Sequence, residues 1–318
     1  MQCRCKSTGY LRMAHQRLCG SFGLSFETSD FGKGWTNVNH TISFVLGFST
    51  QFEIHLKYPK QYIHELRFLC LSNQQNMNLS GNKILITGGA SGIGLGLTEQ
   101  FLIEGNIIIV CGRRESALNE LKEKHPNITT YVCDVADEAS RLNLYQWIAK
   151  EHQDLTVLVN NAGIQQWMSI DDEDFFVRAK QEIAINIEAP LHLSQLFSQL
   201  PYLKTIMNTT SGLSFVPLTK VAVYSATKAF FHSFTLSLRQ LLVSKNIEVI
   251  EIIPPALNTD LGGKGLHDTA PPVSAFIASI FEQLKEGKNE LTFGFSEAMT
   301  KSGPDELKQT FNRMNGVA

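Results

Sequence analysis

A short apolar run that ends in a glycine-rich turn and passes directly into a helical segment constrains this chain most. The run covers residues 83–87, the turn reads TGGASGIG (87–94), and helical spacing continues to residue 104. Further apolar runs at 106–111, 129–132, 156–159, 204–208, 247–253 and 291–293 are separated by helical patterns. Strands that alternate with helices predict βαβ units and a parallel sheet. The runs are continuously apolar, as expected for strands buried on both faces.

The helical patterns cover residues 115–124, 137–151, 178–199, 223–244 and 273–286. Residues 1–76 differ from this regular part: they hold four of the six cysteines and keep neither a helical nor a strand period. We therefore predict two parts, an extension at 1–76 and a catalytic domain at 77–318. The extension is expected to be disordered or to lie upstream of a true start at Met77. Its basic, acid-free beginning leaves a targeting segment as an alternative.

Composition excludes several classes of protein. With 43% hydrophobic and 18% charged residues among 318, the chain can build a large core. A net charge of −2 lacks the basic excess of a nucleic-acid-binding protein. No apolar run approaches the roughly 18–20 residues of a membrane span. No C-x-x-C spacing occurs, so we expect no zinc or other metal site. The expected location is cytoplasmic.

The glycine-rich turn is suited to a dinucleotide. Gly88, Gly92 and Gly94 let the main chain approach a pyrophosphate, and the helix from Ile93 offers free N–H groups and a positive dipole end. The alternative is a purely structural tight turn.

The end of the second strand of this domain bears on the cofactor. An NAD site places Asp or Glu there to bind the ribose 2′-hydroxyl. This chain has Gly112, Arg113 and Arg114 instead, and Arg113 can form charge-assisted hydrogen bonds to a 2′-phosphate. The sequence therefore favours NADP(H) over NAD(H). The alternative is a solvated arginine pair that opens a helix.

Two further strand ends carry candidate cofactor contacts. Asp134 follows the third strand, where its carboxylate could accept from the adenine amino group or cap the helix that begins near Asp137. The sequence NNAG (160–163) follows the fourth strand, and its small residues permit close approach while an Asn side chain could tie neighbouring strands. Open α/β sheets bind ligands at such carboxyl ends.

Four residues suggest acid–base chemistry. Tyr224 and Lys228 are four apart in a helix and share a face, but Tyr-x-x-x-Lys is a weak signal on its own. Ser211 follows a strand, and Asn186 occupies a helix interior, where Asn is unfavourable.

Together the four residues have a chemical logic. A phenol has a pKa of about 10, and the ammonium of Lys228 would lower the pKa of Tyr224. Tyr224 could then give a proton to a carbonyl oxygen or take one from an alcohol. Ser211 could hydrogen-bond the same oxygen. Lys228 could also hold the nicotinamide ribose, with Asn186 supporting a water that links Lys228 to solvent.

These motifs resemble the short-chain dehydrogenase/reductase family of the compact, single-domain type. The matching elements are TGGASGIG (87–94), Asp134, NNAG (160–163), Asn186, Ser211, YSATK (224–228) and PPALNT (254–259), in the family's order. Pro255 stands where the family usually has Gly, and this departure and the tail are similar to the DltE-like oxidoreductase subfamily. The resemblance implies a doubly wound Rossmann-type sheet of seven parallel strands in the order 3-2-1-4-5-6-7.

The implied function is an NADP(H)-dependent oxidoreductase that interconverts a carbonyl and an alcohol on a small, apolar substrate. The implied catalytic residues are Asn186, Ser211, Tyr224 and Lys228. The implied cofactor contacts are Thr87, Gly88, Ser91, Gly92, Ile93, Gly94, Arg113, Asp134, Val135, Asn160, Asn161, Ala162, Gly163, Tyr224, Lys228, Pro254 and Thr259. By their place after strand ends, the substrate pocket should include Gln165, Gln166, Trp167, Phe215, Val216 and Leu257.

Surplus apolar residues on the helix that carries Tyr224 predict a homodimer or homotetramer. The main alternative function is a catalytically silent protein of this fold that senses nucleotide, although such proteins typically lose Tyr or Lys. The larger sugar-nucleotide epimerases and dehydratases have a different glycine spacing and a longer C-terminal domain. Acyl transfer is suggested by the subfamily's name alone, and Gly-x-Ser-x-Gly is absent.

Overall fold

The structure, a computed structural model, describes residues 39–46, 50–57 and 77–317 in two units. In the first unit, β1 (Asn39–Leu46) and β2 (Thr50–Lys57) pair in antiparallel fashion, with Ile42 opposite Ile54. The rest of the predicted extension lies outside the described residues. The boundary at Met77 therefore stays a prediction.

The second unit is built on seven parallel strands, most of them rich in Ile, Leu and Val, as expected for strands buried on both faces. The strands are β3 (Lys83–Thr87), β4 (Ile107–Gly112), β5 (Thr129–Val132), β6 (Val157–Asn160), β7 (Thr205–Thr209), β8 (Glu248–Ile253) and β9 (Glu290–Thr292). They lie in the order β5-β4-β3-β6-β7-β8-β9. Counted within this sheet, the order is 3-2-1-4-5-6-7, which confirms the predicted fold class.

Helices cover both faces of the sheet. They are α1 (Gly92–Ile103), α2 (Glu115–Lys124), α3 (Glu138–Glu151), α4 (Phe175–Ile183), α5 (Ala189–Phe197), α6 (Ala222–Leu241), α7 (Val273–Lys285), α8 (Phe295–Lys301) and α9 (Pro304–Asn315). On one face, Phe101 of α1 meets Phe281 of α7 edge to face, with ring centroids 4.8 Å apart. On the other face, Leu144, Phe197 and Leu238 join one buried cluster. Burial of such side chains contributes about 1.5–3 kcal/mol each.

The helix predicted at 178–199 is observed as an unbroken helical run over residues 175–197, but it is not α-helical throughout. A π-helical turn, Ala184–Glu188, separates α4 from α5. Such turns arise where one extra residue enters a helix, and they are frequent at functional sites. Asn186 lies inside this turn.

The C-terminal helices α8 and α9 were not predicted from the sequence. Helix α9 starts with Pro304 in its first turn, which suits the fixed φ of proline, and ends at Gly316 in the left-handed region with φ of 65°. No helix of the described residues is both long enough and apolar enough to cross a membrane.

Candidate active site

A large cavity opens where the loops leave the carboxyl ends of the central strands. Its volume is about 1550 Å³, above the roughly 300–1,000 Å³ of ordinary small-molecule pockets. It runs from the glycine-rich turn after β3 to the start of α6 and the C-terminal helices. The cavity can therefore take a dinucleotide and a second small molecule side by side.

The glycine-rich turn forms one end of the cavity, and two of its positions require glycine. Gly92 has a φ of +53°, which disfavours other residues. A Cβ on Gly94 would collide with the carbonyl oxygen of Gly88 and the side-chain amide of Asn161. The main chain thus comes close to the cavity where α1 begins, with its free N–H groups and positive dipole end.

Thr87 and Asn160 differ from the other predicted cofactor contacts because they do not line the cavity. Thr87 Oγ1 donates to Val159 O at 3.2 Å and accepts from the N–H groups of Asn161 and Ala162 at 2.9 and 3.0 Å. Asn160 Nδ2 donates to Asn208 Oδ1 at 2.9 Å and to a serine of α5. Both side chains are buried at strand ends, where they tie the strands together beneath the cavity.

The other predicted contacts with a cofactor do line the cavity. These residues are Gly88, Ser91, Gly92, Ile93, Gly94, Arg113, Asp134, Val135, Asn161, Ala162, Gly163, Tyr224, Lys228, Pro254 and Thr259.

The arginine pair lies at the same end of the cavity as the glycine-rich turn. Both Arg113 and Arg114 line the cavity and are exposed. From the sequence, a contact with the 2′-phosphate is expected for Arg113 only. In the structure, Arg114 Nη2 donates to Ser91 Oγ at 3.1 Å, so Arg114 also reaches the glycine-rich turn. Two guanidinium groups therefore stand where β4 ends.

Asp134 lines the cavity and binds the turn that follows β5. Its Oδ1 accepts from the N–H of Ala136 at 3.0 Å, whereas Asp137 caps α3 by accepting from Ser140 N at 2.8 Å. The cap that the sequence analysis left open for Asp134 is thus made by Asp137. Asp134 instead holds the turn after β5 and lines the cavity.

Tyr224, Lys228 and Ser211 meet on one wall of the cavity. All three are buried, and Lys228 Nζ lies 5.7 Å from the centre of the Tyr224 ring. Lys228 Nζ donates to Thr209 O, the last residue of β7, at 2.8 Å. Ser211 Oγ accepts from Leu213 N at 3.1 Å, which fixes the short turn after β7.

Asn186 stands behind this wall and does not line the cavity. Its Oδ1 accepts from Ile164 N at 3.0 Å, and its Nδ2 donates to Ile164 O at 2.9 Å and to Thr227 Oγ1 at 3.1 Å. A Cβ on Gly163 would lie 3.3 Å from Asn186 Oδ1 and 3.6 Å from Lys228 Nζ. Asn186 therefore joins the chain after β6 to α6, beside Lys228.

Burial governs the ionisation of the two central groups. It raises the pKa of Tyr224 above its usual value, and a hydrogen bond with the Ser211 side chain offsets only part of this rise. Burial also lowers the pKa of Lys228 to about 8. Desolvation is the largest influence on the pKa of Tyr224, and the expectation that Lys228 lowers this pKa stays a prediction. The phenol keeps its proton at neutral pH.

The C-terminal helices complete the far end of the cavity. Phe295 of α8 and Met314 of α9 line it. Asn315 Oδ1 accepts from Thr219 N at 2.7 Å, and its Nδ2 donates to Pro217 O at 3.1 Å. Helix α9 is thereby attached to the loop between Ser211 and Tyr224, residues 212–221. This wall was not predicted from the sequence, although Pro304 and Gly316 mark the ends of an amphipathic helix.

Four of the six residues expected near the substrate do line the cavity: Gln165, Gln166, Trp167 and Leu257. Phe215 and Val216 do not. The Phe215 ring packs instead against His232, with ring centroids 4.6 Å apart, and Val216 is buried. The loop turns both side chains away from the cavity, which the sequence alone does not reveal.

Comparisons with known proteins agree with this geometry. The short chain dehydrogenase family model matches residues 82–269. "Uncharacterized oxidoreductase DltE" of Bacillus subtilis is 42% identical over 251 residues, covering 75% of this chain and 98% of that protein. "Senescence-associated protein 13" of Arabidopsis thaliana is 32% identical over 205 residues, covering 60% of this chain and 74% of that protein.

Among solved structures, a short-chain dehydrogenase from Burkholderia cenocepacia in complex with NADP has a TM-score of 0.65 at 23% identity. It covers 75% of this chain and 99% of its own. A short-chain dehydrogenase from Sphingobium yanoikuyae in complex with NADPH has a TM-score of 0.61 at 21% identity, covering 73% and 96%. At these identities the two structures support the fold.

Proposed function

The chain belongs to the short-chain dehydrogenase family, and from that premise we propose that it is an NADP(H)-dependent oxidoreductase interconverting a carbonyl and an alcohol. The observation that carries the proposal is the meeting of Tyr224, Ser211 and Lys228 on one wall of a cavity whose other end is the glycine-rich turn. Fold alone would not support it, because this fold hosts many chemistries. The alternative of a nucleotide sensor loses ground, since all the groups needed for proton transfer are present and adjacent.

The described residues fit NADP(H) in three respects. The tight course of the glycine-rich turn depends on Gly94, because a Cβ there would collide with the carbonyl oxygen of Gly88. The start of α1 favours a pyrophosphate. Arg113 and Arg114 supply positive charge where the 2′-phosphate would lie, and no carboxylate follows β4 directly to oppose it. When bound, the nicotinamide ring supplies or accepts the hydride.

The protein's own groups handle the proton. In the reduction direction, Tyr224 donates its phenolic proton to the carbonyl oxygen. The Ser211 hydroxyl donates a hydrogen bond to the same oxygen and stabilises its developing charge. Lys228, held by Thr209 O, places positive charge beside the phenol and reduces the cost of the phenolate that forms. In the oxidation direction the same groups act in reverse.

The substrate end of the cavity is mostly apolar. Its apolar side chains are Trp167, Leu213, Leu218, Phe295 and Met314, and its polar ones include Gln165 and Lys180. Because binding pockets recognise apolar bodies by burial and fix their orientation with a few polar groups, we propose a small, mainly apolar carbonyl or alcohol as substrate.

A screen of aldehydes, ketones and alcohols with NADPH and NADP⁺, followed by absorbance, tests the proposal. On any active substrate, Tyr224→Phe keeps the ring and its packing but removes the proton. We expect kcat to fall about 10²–10⁴-fold, with NADPH affinity and Tm close to wild type. Near wild-type turnover by Tyr224→Phe would refute the acid–base assignment. NADPH binding without turnover of any compound would favour the sensor.

We also propose that the enzyme is a homodimer or homotetramer. Helix α6 presents Phe230 and Leu241 at 41% and 67% exposure, while Phe231 and Leu238 on its other side are buried in the core. Leu191 of α5 is 39% exposed. Large apolar side chains left in water on such helices favour a contact with a second copy.

A further inference from the structure

A buried glutamate beside the catalytic wall plays no part in the scheme above. Glu182, near the end of α4, is fully buried. One carboxyl oxygen, Oε1, accepts a hydrogen bond from the main-chain N–H of Gln166. The other, Oε2, has no hydrogen-bond partner among the residues that the structure describes. A carboxyl group in this setting is costly to bury as a charge, so its presence calls for a role.

Glu182 is the middle one of three side chains that hydrogen-bond the main chain of the same segment, residues 164–167. Asn186 binds both main-chain groups of Ile164, at 3.0 and 2.9 Å. The guanidinium of Arg178 donates to Trp167 O. Residues 178, 182 and 186 follow one another at intervals of four, which places them along one side of α4 and the π-helical turn.

This segment is part of the substrate wall. Gln165, Gln166 and Trp167 line the cavity, and Gln166 Nε2 also donates to Arg178 O at 3.1 Å. A change in the position of the 164–167 segment would therefore alter how a molecule binds next to Tyr224. This is the reason to look for an effect of Glu182 on catalysis.

The charged and titratable groups around Glu182 are few. On its own helix, Arg178 favours the carboxylate, and its guanidinium is shared with Asp172 and Asp174 at 3.3 and 3.1 Å. Helix α6 packs against α4, and Asn186 Nδ2 donates to Thr227 Oγ1 of α6. The pKa of Tyr224 on α6 is raised mainly by burial and further by a negative charge on Glu182. Lys228 lies one turn further along α6. The 164–167 segment brings no titratable side chain.

We propose that Glu182 is a positioning residue of the active site: its carboxyl group holds the 164–167 segment, and its negative charge keeps the proton on Tyr224. Burial raises the pKa of Glu182 to about 7, so the charge is acquired in the pH range where cells operate. The inference rests on the proposed role of Tyr224 as acid and base.

The first test is the pH profile of kcat/KM for alcohol oxidation, which rises with pH as Tyr224 gives up its proton. Glu182→Gln keeps the shape and an oxygen that can accept from Gln166 N–H, but it removes the charge. Without the nearby charge the phenolate is easier to form, so we expect the profile to move to lower pH, on the order of 0.5–1 unit. Superposed profiles of the variant and an active wild type would overturn the electrostatic part.

Glu248→Gln is the matched control. Burial also raises the pKa of Glu248, and its Oε2 likewise has no partner among the described residues. It lies at the amino end of β8, whereas the cavity lies at the carboxyl ends of the strands. We expect this variant to leave the profile unchanged; an equal shift would overturn a local effect of Glu182.

Glu182→Ala tests whether the hydrogen bond between Glu182 and the main chain of Gln166 positions the 164–167 segment. It leaves the N–H of Gln166 without its acceptor, so we expect KM for the substrate to rise several-fold while KM for NADPH stays unchanged. Glu182→Gln should restore the substrate KM, which a loss of fold would not allow. An unaltered substrate KM in Glu182→Ala would overturn the positioning role.

A readout independent of turnover separates this inference from the proposed function. In infrared spectra, the carbonyl band of a protonated carboxyl, taken as wild type minus Glu182→Gln, should disappear as the pH passes about 7. A band that persists well above neutral pH would overturn the inference, because Glu182 would then carry no charge. A wild type inactive on every compound would instead count against the proposed function.

Discussion

Removing the two arginines after β4 tests cofactor preference. Arg113 and Arg114 both line the cavity, and Arg114 also contacts Ser91 in the glycine-rich turn. A hydrogen bond to a charged group contributes about 1.5–3 kcal/mol. Because both guanidinium groups are exposed, solvent screening places each at the lower end, about 1.5 kcal/mol. That corresponds to roughly a tenfold loss of kcat/KM for NADPH in each single variant to Ala.

NADH has no 2′-phosphate, so its kcat/KM should change little in Arg113→Ala. Arg114→Ala should weaken NADH slightly as well, since the contact with Ser91 is lost. The measurement is kcat/KM for both cofactors at fixed, low salt, where surface electrostatics are strongest. Lys122→Ala, an exposed cation of α2 outside the cavity, controls for the loss of one charge. The reasoning is refuted if Arg113→Ala lowers kcat/KM for NADPH and for NADH by the same factor, or if the wild type has the higher kcat/KM with NADH.

Three further predictions concern stability and assembly. Lys228→Met removes a buried ammonium whose pKa lies below its value in the unfolded chain, so the unfolded state binds more protons between about pH 8 and 10.5. We expect the Tm measured by calorimetry to rise at neutral pH, by roughly 2–4 °C for each kcal/mol of destabilisation that is removed. This gain in Tm should shrink as the pH rises from about 8 to 10.5. Gly94→Ala should lower the free energy of unfolding by about 1–3 kcal/mol through overpacking against Gly88, and it should also weaken NADPH binding. Gly303→Ala is the control: its Cβ would meet nothing within 4 Å, so denaturant titrations should give a free energy of unfolding close to that of the wild type. Phe230→Asp should turn a dimer or tetramer into monomers in light scattering, and a wild type that is monomeric at micromolar concentration would contradict the assembly proposed here.

Much of the fold could be predicted because its signals are local. Apolar runs such as Lys83–Thr87 lie within a residue of the observed strands, since a strand buried on both faces has to be apolar throughout. The prediction of a helix at 178–199 missed the π-helical turn within it, of which the hydrophobic periodicity gives no sign. One extra residue shifts the spacing of the apolar side chains by less than that spacing varies within an ordinary helix.

The sequence by itself determined the chemistry available: a glycine-rich turn before a helix, arginines after β4, and a Tyr and a Lys on one helical face. Only the tertiary structure decided what these groups do. It placed Thr87 and Asn160 beneath the cavity, brought Arg114 to Ser91 and closed the far end with Met314. It also packed α4, which carries Glu182, against α6, which carries Tyr224. Residues distant along the chain meet only when the sheet is assembled, and burial, which governs the pKa of Tyr224 and Lys228, exists only in the packed protein.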